Sequence, residues 1–172
     1  MRRLFFALWP EAALRAELAD AASVLTAGAA GRRVPAAMLH LTLVFAGAVA
    51  GDAQRALRQA ASGVRGTRFE LSLDRAGSFG RARVWWLGPS SVPEPLMRLA
   101  AELRSACIAS GIALHDERFT PHVTVLRDAR GPAPLAGFTP IRWAADSFSL
   151  VESRRDGGLH YVELQRWPLL PG

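Results

Sequence analysis

The chain has 172 residues, half of them apolar and 21% charged, with a formal net charge of +6. That length suits one compact domain or two small lobes on a shared core, and no apolar run approaches the roughly 18 residues of a membrane span. The composition is that of a soluble globular protein. One cysteine, Cys107, excludes an internal disulfide and a cysteine-rich metal cluster.

In chain order, "RLFFALW" (3–9) predicts a strand, and Pro10 behind it sits where a first helical turn tolerates proline. Leu14, Leu18, Ala22 and Leu25 recur at helical spacing, with Gly28 as the stop. The opening residues begin like a signal peptide, but the apolar run is short and Glu11 follows without a small-residue cleavage site. They are read as mature structure, and the expected location is cytoplasmic. A loop rich in Gly and Arg leads to a strand over 38–45, "MLHLTLVF", and 51–63 reads as a second helix. Residues 68–88 read as two strands joined by a turn at Gly77 to Gly80. Leu96, Leu99, Leu103 and Cys107 line one face of a third helix that Gly111 ends, which makes Cys107 a small buried hydrophobe. A second motif strand starts at His122, and 148–167 closes the chain as a hairpin around Asp156, Gly157 and Gly158. In the pairs Phe5–Phe6 and Trp85–Trp86 one ring faces away from the other, so both faces of those strands are expected to be covered.

The elements repeat. "FFALWP" is followed by a helix and then "HLTLVF", and "VWWLGP" by a helix and then "HVTVLR". His40 and His122 lie 82 positions apart, Pro10 and Pro89 lie 79 apart, and "RFELSL" is matched by "SFSLVE". An internal duplication produces such an order.

Each motif strand carries a histidine and a threonine two residues apart. Alternation places His40 and Thr42 on one face and Leu41, Leu43 and Phe45 on the other, and does the same for His122 with Thr124. One such pair marks a half-exposed strand. Two at equivalent points of a repeat can converge on one groove, with an imidazole and a hydroxyl on each wall. Displacement at phosphorus needs in-line attacking and leaving oxygens, with a base on one side and an acid on the other. Histidine's ordinary pKa of about 6.5 serves both roles, and threonine hydroxyls can donate to the phosphoryl oxygens. Neither motif holds a carboxylate, so neither a metal nor a cofactor is expected. All 21 basic residues are arginine, which fits phosphate-bearing partners, although a GC-rich codon bias accounts for arginine equally well.

These residues resemble the two-histidine phosphoesterase superfamily, and within it the bacterial RNA 2′,3′-cyclic phosphodiesterases, also named 2′-5′ RNA ligases. The resemblance rests on "RLFFALWP", "HLTLVFAG", "RVWWLG", "FTPHVTVLR" and "FSLVESRRDGGLHYVELQRWPL", nearly the whole chain. It departs from the family at Ala46, where a leucine is usual, and at Arg32 or Arg33, where an aromatic is usual. The family's fold implies an α+β domain over 1–172, with two pseudo-symmetric lobes around a central cleft, each an antiparallel sheet with outer helices. By motif position, His40 and His122 are the acid and base, Thr42 and Thr124 hold the phosphate, and Arg127 lies near substrate. Strict alternation would put Arg127 opposite His122, so its role requires the strand to end or bend. His115 and His160 match no motif position. The activity implied is hydrolysis of RNA or nucleotide 2′,3′-cyclic phosphates to a 2′-phosphate by a monomer, with His122 and Thr124 activating water and His40 protonating the departing 3′-oxygen. Arginines that flank the motifs, Arg32, Arg33, Arg81, Arg83, Arg118 and Arg130, are candidates for further RNA contacts. RNA 2′-5′ joining and a non-catalytic RNA-binding module are the alternatives.

Overall fold

The computed structural model describes residues 2–115, 118–134 and 138–172. The elements run β1 (Arg2–Leu8), α1 (Ala12–Leu25), β2 (Arg32–Arg33), a short 3-10 turn (Ala36–Met38), β3 (Leu41–Val49), α2 (Gly51–Ser62), β4 (Phe69–Leu73), β5 (Arg75–Phe79), β6 (Val84–Gly88), α3 (Glu94–Ala109), β7 (Val123–Arg127), β8 (Ile141–Ala145), β9 (Ser147–Arg154) and β10 (His160–Pro168). Among the described residues no helix is long and apolar enough to cross a membrane.

The fold is α+β. One antiparallel sheet has the order β10-β9-β1-β3-β7-β6-β5, with β2 beside β7, and β4 and β8 form a separate two-stranded ribbon. At its centre β3 and β7 meet through one ladder pair, Leu41 with Val123. Outward from that seam β3 is followed by β1 and β9, and β7 by β6 and β5. The third strand on each side therefore comes from chain downstream of the other side's motif strand. The strand equivalents are β5 with β9 and β4 with β8. "RFELSL" forms β4 and "SFSLVE" opens β9, so that likeness joins two strands that do not correspond.

The helices owe their positions to apolar stripes. Leu18 and Leu25 of α1, Leu57 of α2, and Leu96, Leu99, Leu103 and Cys107 of α3 are buried in one core with Phe6, Leu41, Leu87 and Val123 of the sheet. That core spans both sides of the seam. The opposite face of the sheet keeps a small cluster, Phe5, Ala7 and Val151 with Trp9 and Tyr161 against it. The adjacent aromatics do split between faces as alternation requires, Phe6 and Trp85 entering the core.

Several boundaries differ from the sequence reading. Helix α1 starts at Ala12 after the cap residue Glu11, so Pro10 lies ahead of the first turn. Met38 belongs to the 3-10 turn closed by its N–H to the Pro35 carbonyl, and strand β3 begins only after His40. Residues 68–88 form three strands, with the turn at residues 80–83. Gly77 lies inside β5 opposite Trp86, where an added Cβ would come 2.2 Å from the indole Cζ2. Close packing, and not a turn, requires glycine there.

Candidate active site

Pairing decides which side chains reach the open face. Along β3, Thr42 pairs with Ala7 and Val44 with Phe6, leaving Leu43 without a partner in β1. Such a bulge reverses the alternation beyond it. Leu43 and Val44 are both buried in the core, while Phe45 pairs with Phe5 and is 48% exposed. The same happens at the same offset in β7: Thr124 pairs with Trp86 and Leu126 with Trp85, leaving Val125 without a partner in β6. Val125 and Leu126 are fully buried. Arg127, paired with Val84, thereby joins Thr124 on the open face. Phe45 and Arg127 both stand with the threonines, which corrects the face assigned to Phe45 by strict alternation and supplies the bend that Arg127 requires.

The imidazoles are held alike. The Nδ1–H of His40 donates to the Met38 carbonyl at 2.7 Å, and that of His122 donates to the Thr120 carbonyl at 2.7 Å. Each bond leaves Nε2 as the lone-pair nitrogen of the neutral ring. The Thr42 hydroxyl can donate to His40 Nε2 at 3.0 Å. Tyr161 meets His40 edge-on (5.2 Å between centroids, 89°), and Phe79 meets His122 edge-on (4.9 Å, 86°). Indoles complete both enclosures from different sequence positions. Trp9 stacks on His40 (5.7 Å, 25°), whereas Trp86 tilts over His122 (6.4 Å, 56°). In the repeat Ala7 and Trp9 correspond to Trp86 and Gly88, and a Cβ on Gly88 would come 2.9 Å from Trp86 Cζ3. Phe5, 4.9 Å from His40, adds a third ring on that side.

This enclosure disfavours the imidazolium forms. Burial, with smaller repulsions from Arg127 and His122, lowers the His40 pKa to about 4. Burial, and then the Arg127 charge, lowers that of His122 as well. Both rings are neutral in the free protein near pH 7. Arg127 acts on both, and among the described residues its guanidinium has no hydrogen bond or ion pair.

Beside the seam a cavity of about 660 Å³ opens, lined in part by Thr42, Phe45, Met97, Arg104, Phe119 and His122. The two sides of the seam differ beside it. β2 pairs with β7 at Arg127 and Leu126. Its equivalents 82 positions later, Leu114 and His115, line the cavity together with Thr42 and Phe45 of β3. Among the described residues no group of His, Cys, Asp or Glu side chains is placed to hold a metal ion.

The structure thus brings His40, Thr42, His122, Thr124 and Arg127 to one face around the Leu41–Val123 seam. It uses several other arginines elsewhere. Arg32 bonds the Asp128 carboxylate, Arg33 the Thr26 carbonyl and Arg83 the Asp128 and Ala129 carbonyls. Arg118 lines the cavity, and Arg81 and Arg130 are exposed. His115 lines the cavity, and His160 starts β10 outside it. No spacing in the sequence marks Trp9, Phe79, Trp86 and Tyr161 as imidazole neighbours, because three separate strands and the segment after β1 bring them together.

A family model described as the 2′-5′ RNA ligase superfamily matches residues 10–157. The Escherichia coli (strain K12) protein named RNA 2′,3′-cyclic phosphodiesterase is 39% identical over 171 residues, 98% of this chain and 97% of that protein. A crystal structure described as a phosphoesterase superposes with a TM-score of 0.91 at 37% identity, covering 98% of each chain. E. coli LigT complexed with 3′-AMP superposes with a TM-score of 0.86, also at 37% identity and 98% coverage of each chain.

Proposed function

The chain belongs to the 2′-5′ RNA ligase superfamily, and from that membership and the cleft we propose that it is an RNA 2′,3′-cyclic phosphodiesterase with His40 and His122 as its acid and base. The observation that carries the mechanism is the register at the seam. Leu41 faces Val123 in an antiparallel pair, so His40 stands across from Thr124 and Thr42 across from His122. The histidines occupy opposite corners. A phosphorus above the seam would have one imidazole on its attacking side and the other on its leaving side, as in-line displacement needs.

In the assigned direction His122 Nε2 takes a proton from water as the water oxygen bonds to phosphorus. The bond from phosphorus to the ribose 3′-oxygen breaks, and protonated His40 supplies the proton that this oxygen takes up. A 2′-phosphate remains. Thr42, Thr124 and Arg127 hold the non-bridging oxygens, where charge gathers in the transition state. The bound phosphate anion raises both imidazole pKa values, so His40 can carry its proton once substrate is in place. Phe45, exposed at the cavity, meets an apolar part of the nucleoside.

In this reading residues 1–172 form one bilobal domain, working as a monomer in the cytoplasm on RNA ends. The single cysteine, buried in α3, suits a reducing compartment. Digestion of a 2′,3′-cyclic nucleotide, with the 2′- and 3′-monophosphates separated by chromatography, tests the reading. A 2′-monophosphate is expected. Predominant 3′-product overturns the acid and base assignment, and no turnover of cyclic mononucleotides or of RNA ending in a cyclic phosphate overturns the activity.

A further inference from the structure

Two non-glycine residues among those described have positive φ, Arg83 at 53° and Asp128 at 54°. The left-handed region is unfavourable for a side chain such as arginine's, whereas aspartate visits it as a single residue. Hydrogen bonds join the two turns. The Ala129 N–H donates to the Arg83 carbonyl at 2.9 Å. The Arg83 guanidinium donates to the carbonyls of Asp128 (3.2 Å) and Ala129 (3.4 Å). Asp128 turns its carboxylate to Arg32, at 2.6 Å.

All three residues surround the backbone of Arg127. Arg32 pairs with it across β2 and β7, and Val84, next to Arg83, pairs with it from β6. A Cβ on Gly31 would come 2.7 Å from the Arg127 carbonyl oxygen, so the β2 side also approaches closely. The direction of Asp128 matters most. A carboxylate one residue from Arg127 could neutralise that guanidinium, but it pairs with Arg32, and the Arg127 charge is the smallest of the influences on it.

We propose that Arg83, Asp128 and Arg32 form a positioning cluster that fixes the turn after Arg127 and keeps its guanidinium free for the substrate phosphate. The cluster touches no reacting atom and acts through Arg127. The inference rests on the phosphodiesterase reading for its catalytic consequence, but anion binding reports on it separately.

Arg83→Gly removes both carbonyl bonds and suits the positive φ, and Asp128→Asn keeps a residue that tolerates this region while releasing Arg32. KM for 2′,3′-cyclic AMP, its salt dependence, and calorimetric binding of inorganic phosphate are measured in the wild type, each variant, Arg127→Met, and the Arg83→Gly/Arg127→Met double variant. Thermal melts identify any variant that does not fold. The expected result is a KM increase of about 10-fold for Arg83→Gly, the scale of one charge-assisted contact, with a flatter salt slope and weaker phosphate binding. Adding Arg83→Gly to Arg127→Met should change KM by less than about 2-fold, because residues acting through one group are not additive. Equal losses in both backgrounds overturn the proposal. So do unchanged KM, salt slope and phosphate affinity in Arg83→Gly, or in Asp128→Asn if Arg83→Gly does not fold. A wild type that binds phosphate in this Arg83-dependent way but does not turn over the cyclic nucleotide refutes the activity while leaving the cluster standing.

Discussion

Leu41 and Val123 face each other across the seam of the sheet, and each stands 82 positions from the other, the same interval that separates His40 from His122. A residue paired with its own equivalent lies at a local two-fold axis. The remaining site residues follow from that pair: threonines and histidines at alternating corners, then a bulge on each side, then Phe45 on one wall and Arg127 on the other.

Replacing either histidine should remove a proton-transfer group. His40→Ala and His122→Ala are each expected to lower kcat by roughly 10²–10⁴. The double variant should lose far less than the product of the two effects, since both groups act in one transition state. Steady-state kinetics on folded variants checks this, and near wild-type turnover in either single variant contradicts the two-histidine mechanism.

The pH profile of kcat/KM reports the free enzyme, in which burial holds both imidazoles below their ordinary range. The competent form carries one proton on the pair, so activity should be bell-shaped and belong to the pair as a whole. Deprotonation on the alkaline side is governed by the higher of the two lowered values, placing that limb below pH 6.5. The limb in kcat should lie higher, because bound phosphate favours the imidazolium. Stability follows the same sign. A lowered folded pKa favours the native state above pH 6.5, and the benefit is lost as pH falls toward about 4 for His40. A kcat/KM profile whose alkaline limb lies above 6.5 would contradict this electrostatic account.

Arg127→Met keeps part of the alkyl packing and removes the charge. KM should rise, and the dependence of binding on salt should flatten. The alkaline limb of kcat/KM should also move upward, because the arginine's repulsion contributes to both lowered pKa values. An unchanged salt slope together with an unmoved pH limb would make this arginine purely structural.

Gly77→Ala tests the support beneath His122. Its Cβ would enter the Trp86 indole, and relief requires that ring to move against the imidazole it borders. A loss of about 1–3 kcal/mol is expected, typical of overpacking, with a fall in kcat. Gly80→Ala is the control, since a Cβ there meets nothing within 4 Å and should change stability by under about 0.5 kcal/mol. Chemical denaturation and kinetics on the two variants distinguish packing from a turn requirement.

The alternation of strands and helices, the two motif strands and the chemistry that imidazole and hydroxyl pairs can perform are all legible in the amino-acid sequence. Those features are local, because apolar spacing and residue type depend on positions a few residues apart. Helix α2 over Gly51–Ser62 and the closing hairpin were legible for that reason. Tertiary structure decided the rest. Whether Phe45 and Arg127 face the cleft depends on Leu43 being left without a partner in β1 and Val125 without one in β6, and such a bulge belongs to a pair of strands. The exchange of β5 and β9 between the two sides, the indoles from Trp9 and Trp86, and the strained contact of Arg83 with Asp128 likewise join residues distant in the chain. Their positions are set by which strands meet, and only the folded sheet specifies that.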